Sequence, residues 1–107
     1  MRKLIMSGAI LTALAGLGLA DTWTGALLDA HCSSRHATEA CSVKRSTSRF
    51  VIDVNGTKYR LDGRTNSDMR SAVREAKDFK KGQPVTATIT GEMSSSGRIH
   101  AHTIAVQ

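Results

Sequence analysis

Four residues with metal-binding and redox chemistry stand close together: His31, Cys32, His36 and Cys41, in the order H-C-x3-H-x4-C. Imidazole and thiolate are the ligands of tetrahedral zinc and copper sites, although this is not a standard zinc spacing. The same two sulfurs have a second chemistry, because in an oxidising compartment a cysteine pair closes a disulfide. One pair of sulfurs cannot serve both ends. Cys32 beside His31 or His36 also has the makings of a nucleophile, but a second cysteine so near favours the Cys32–Cys41 disulfide. Closing a loop of that length contributes roughly 2–3 kcal/mol in the chain-entropy model.

A second histidine pair lies near the end of the chain. His100 and His102 occupy alternate positions of an extended segment, so their rings leave one face of a sheet roughly 6–7 Å apart. They would bind zinc or copper if His31 or His36 approached as a third ligand, and otherwise they are exposed histidines on a solvent face. Between these clusters runs a basic stretch, with Arg35, Lys44, Arg45 and Arg49 along a long polar segment. Such a segment suits a small anionic or envelope ligand, and a disulfide within it lowers the entropy lost on binding. No serine elbow, glycine-rich phosphate loop or convergent carboxylate pair is present, so no enzyme and no resident cofactor are expected. Nucleic acid is not an expected partner either, since Trp23, Phe50, Tyr59 and Phe79 are the whole aromatic inventory and the core has a use for them.

The compartment follows from the first twenty residues. Arg2 and Lys3 precede an almost wholly apolar run from Leu4 to Leu19, and Gly18 and Ala20 are small where a signal peptidase inspects the chain. Residues 1 to 20 therefore read as a signal peptide, cleaved before Asp21. The run falls short of the about 20 residues of a stable membrane span. The expected destination is the periplasm or the extracellular space. Without Arg2 and Lys3 the 15 basic residues become 13 against 9 acidic ones, a net charge of +4. That excess is modest and dispersed, and it attracts anions weakly without selecting one.

Residues 21 to 107 are enough for one domain. Thr22 to Asp29 reads as a strand, and Ala30 to Ser48 as a long loop with room for one helical turn. Phe50, Ile52 and Val54 alternate before Asn55-Gly56, and Tyr59 and Leu61 follow it, which is the strongest short-range hairpin signal. Met69, Ala72, Val73, Ala76 and Phe79 recur at helical spacing. They predict a helix over 67–81, capped by Asn66 or Ser67, with Lys80, Lys81 and Gly82 suited to its end. Val85, Ala87 and Ile89 alternate with threonines in the next strand. The last strand, 98–106, changes parity and needs a bulge near Thr103.

Five short strands with one helix between the third and fourth is the connectivity of a small mainly β, OB-like barrel. Several segments also carry a resemblance. The opening T-W-T-G with L-D-x-H-C, the second cysteine nine residues on, the hairpin F-V-I-D-V-N-G-T-K-Y-R-L-D and the closing V-T-A-T-I-T-G resemble small exported OB-like bacterial proteins of unknown function. In plan they are similar to the periplasmic bacterial OB-fold family. The resemblance implies the barrel and export, and it implies no particular activity. The function expected is a non-catalytic exported binding or envelope-associated module. The alternative is a periplasmic metal-binding protein using His31, His36, His100 and His102.

Overall fold

A computed structural model describes residues 20–35, 41–76 and 83–107. Residues 1–19 of the expected signal peptide, His36, Phe79 and the Lys80-Lys81-Gly82 segment lie outside the described residues.

The elements are β1 (Asp21–Asp29), α1 (Ala30–Arg35), β2 (Phe50–Val54), β3 (Thr57–Leu61), α2 (Gly63–Glu75), β4 (Val85–Met93) and β5 (Arg98–Val106). The strands close a barrel in the order β1-β2-β3-β5-β4, with β1 antiparallel to both β2 and β4. Closure leaves no long unpaired edge. The main helix stands between β3 and β4, as the OB-like reading requires. β3 and β5 make the single parallel pairing among the described strands, with Arg60 opposite Arg98 and Leu61 opposite Ile99.

Alternation puts Val85, Ala87 and Ile89 inside and the intervening threonines outside. With Leu27, Phe50, Ile52, Leu61 and Ile99 they form the barrel core, and α2 adds Met69 and Val73. The β2–β3 turn is the Asn-Gly hairpin, with φ of 54° at Asn55 and 92° at Gly56, a conformation that asparagine and glycine tolerate best. The Asp53 carboxylate accepts from the Gly56 amide at 2.8 Å. Among the described residues no helix is long and apolar enough to cross a membrane.

Two boundaries, both of α2, differ from the sequence expectation. α2 begins at Gly63, ahead of Asn66 and Ser67, because Asp62 is the N-cap and accepts from the Thr65 amide at 2.9 Å. Asn66 is inside the helix and stitches it to the barrel: its Oδ1 accepts from Phe50 N at 2.9 Å and its Nδ2 donates to the Leu61 carbonyl. The described helix ends at Glu75, short of residue 81, with Ala76 as its C-cap. The bulge expected near Thr103 is present in β5, at His102, since Thr90 pairs with Thr103 but Gly91 with Ala101. Gly91 permits it, because a Cβ there would collide with the His100 carbonyl.

The long loop does contain a helical turn, α1, held from both ends. Asp29 caps it, accepting from Cys32 N at 3.0 Å and from the Thr47 hydroxyl at 2.8 Å. Cys32 and Cys41 are joined in a disulfide, and Asp29 N donates to the Cys41 carbonyl at 2.9 Å. Val43, within the loop, is fully buried in the core.

Candidate anion site

The barrel's parallel closure dictates the position of two cations. Leu61 and Ile99 face each other in register and are both buried, at 2% and 0% exposure. Successive strand residues alternate faces, so the residues just before them, Arg60 and Arg98, are sent outward together. Both are exposed. Like charges directly opposed on neighbouring strands destabilise a sheet, and no carboxylate among the described residues pairs with either. Arg49 reaches the same place by similar logic, preceding buried Phe50 at the start of β2. Its carbonyl accepts from Ala30 N at 3.0 Å, which ties it to the start of α1.

Arg49, Arg60 and Arg98 line one open cleft of about 420 Å3. One wall is α1, contributing Ala30, His31 and Ser34, and another is the first turn of α2, contributing Gly63 and Asn66; Phe50 and Leu61 lie at the base. None of the lining residues is acidic. Gly63 is the first residue of α2, so the positive end of the helix dipole borders the cleft. His31 adds an imidazole, with its Nε2 3.5 Å from Arg35 Nη1. Ser34 donates its hydroxyl proton to the His31 carbonyl at 2.9 Å. The arrangement can hold an anion through guanidinium forks, the geometry that recognises carboxylate and phosphate oxygens.

Asp62 adjoins the cleft in sequence but is occupied elsewhere. It accepts from Thr65 N, and its other oxygen accepts from His100 Nδ1 at 2.6 Å. Burial by itself raises the Asp62 carboxyl, but the hydroxyl and amide of Thr65 and the ring of His100 outweigh that and hold it below its ordinary value. A smaller hollow of about 240 Å3 between α2 and β5 carries Asp68, Glu75 and His102. Its charge is opposite to that of the arginine cleft.

Of the four loop cations singled out from sequence, Arg49 lines the cleft, while Arg35 is not among its lining residues and only adjoins the His31 ring. Lys44 is exposed on the loop, and Arg45 donates to the Arg74 carbonyl at 3.2 Å. His100 and His102 do share a face, with ring centroids 5.8 Å apart. His102 Nε2 is 3.8 Å from Glu92 Oε1. Among the described residues no three His, Cys, Asp or Glu side chains are grouped to hold a metal, and the disulfide engages both sulfurs. Arg60 and Arg98 are absent from the sequence reading. Their local signal is that each immediately precedes a core residue, but only the parallel register joins them.

No protein-family model, curated protein or solved structure matches the chain.

Proposed function

We propose that this protein is an exported, non-catalytic binding module that holds a small anionic ligand in the cleft between α1, the β3–β5 pair and the start of α2. The observation that carries this reading is the set of three guanidiniums on one cavity with no acidic lining residue. Stability alone does not account for such an arrangement, since opposed cations at Arg60 and Arg98 cost the sheet energy unless something negative offsets them. The cleft's hydroxyl, that of Ser34, is turned to its own helix, which supports binding over covalent chemistry. Export is supported by the leader-like residues 1 to 20, by the disulfide and by the resemblance to small exported OB-like proteins.

Thermal melting with and without millimolar inorganic phosphate, at matched ionic strength, tests the site. A ligand that binds only the folded state raises the melting temperature by mass action. The rise should disappear in Arg60→Gln and in Arg98→Gln. An equal rise in those variants would mark a general salt effect and sink the proposal.

A further inference from the structure

We infer that the ligand is a phosphomonoester carried on a small polyhydroxylated body, such as a sugar phosphate; this rests on the cleft being an anion site. Arg49, Arg60 and Arg98 each present a planar fork of N–H donors. A carboxylate brings one charge and two acceptor oxygens, enough for one fork. A sulfate ester has more oxygens but again a single charge. A phosphomonoester carries about −1.5 to −2 near pH 7 and three strong acceptor oxygens, which comes closest to answering three guanidiniums. Arg60 and Arg98 start side by side, since paired strands are about 4.8 Å apart, a separation from which two forks can close on one tetrahedral group.

The rest of the cleft calls for more than the phosphate. Its volume of about 420 Å3 lies within the about 300–1,000 Å3 of small-molecule sites. It is far larger than one water needs, so an inorganic phosphate would leave part of it wet. Beside Ala30 and the buried Phe50 and Leu61, the uncharged polar lining groups are the Ser34 hydroxyl oxygen and the Asn66 amide. Asn66 Nδ2 uses one N–H on the Leu61 carbonyl and keeps a second. Phe50 is 1% exposed and has no free face on which a nucleobase or aryl group could stack. Hydrogen bonds to hydroxyls are what remain to hold the body.

Isothermal titration of the disulfide-intact mature protein with glucose 6-phosphate, glycerol 3-phosphate, inorganic phosphate, acetate and glucose at fixed ionic strength tests this. At least one sugar or polyol phosphate should bind about tenfold tighter than inorganic phosphate, and glucose and acetate should give no measurable binding. Arg60→Gln and Arg98→Gln should each weaken the phosphate ester by about tenfold or more, as expected for loss of a charged hydrogen-bond pair, while their far-UV spectra stay unchanged. If inorganic phosphate matches the esters, the body is not recognised and this inference fails although the anion site stands. Acetate binding as tightly as phosphate overturns the choice of phosphate in the same way. If no anion binds, the anion site falls as well. Binding only to phosphatidylcholine vesicles containing phosphatidic acid, with no free ester bound, would place the phosphate on a membrane and also overturn it.

Discussion

The Asp62 carboxylate lies 2.6 Å from Nδ1 of His100 while its other oxygen caps α2, so one side chain ties the helix that borders the cleft to the strand that carries Arg98. Folding favours the ionised form, because the folded carboxyl sits below its ordinary value of 3.8. The sign follows: this contribution is present above that value and is lost as the pH falls through the lower folded one. Asp62→Asn keeps a capping acceptor and removes the charge, so acid melting of this variant should lose part of its pH dependence below about pH 4. Asp62→Ala should cost about 0.5–2 kcal/mol more broadly, through the lost cap. Superimposable acid-melting curves for wild type and Asp62→Asn would contradict this role.

The Cys32–Cys41 bond has two expected consequences. The isolated protein should show no free thiol, should gain the mass of two hydrogens on reduction, and should lose roughly 2–3 kcal/mol of stability. The loss is partial because the barrel core is built from strands and α2. Cys32 is also part of α1, which supplies His31 and Ser34 to the cleft, so reduction should weaken anion binding beyond its effect on stability. Two alkylatable cysteines in the freshly isolated protein would refute the disulfide. Unchanged affinity after reduction would show that α1 does not shape the site.

Val73 is 1% exposed in the core, and Val73→Asp is expected to unfold the domain by placing an unpaired charge between α2 and the barrel. A circular-dichroism melt checks this. A full wild-type melting temperature would mean that α2 is not packed as described. The helix also shows where sequence reading succeeds and where it stops. Met69 and Val73 were legible from their spacing, as were the Asn55-Gly56 hairpin and the strand alternation, because each is a local signal. The first turn of α2 was not: Gly63, Arg64, Thr65 and Asn66 carry no apolar stripe, and the Asp62 cap competes with equally good capping residues downstream. The cleft was legible in part, at Arg49 and in the polar segment that supplies His31 and Ser34. Arg60 and Arg98 meet through a pairing of β3 with β5 that closes across the intervening helix and strand, and no short-range pattern encodes that register.

Cleavage of the leader is checked by mass. Protein recovered from the envelope or the medium should begin at Asp21. A chain beginning at Met1 would contradict it.

The most direct measurement is a two-dimensional amide NMR titration of the mature protein with inorganic phosphate at constant ionic strength. Binding in the cleft predicts saturable shifts confined to Arg49, Arg60, Gly63, Asn66, Arg98 and the α1 residues beside them, with the amides of Lys44, Arg45 and Lys58 unmoved. Shifts that are linear in concentration and spread over all the basic residues, or centred away from the β3–β5 pair, would contradict an anion site at Arg60 and Arg98.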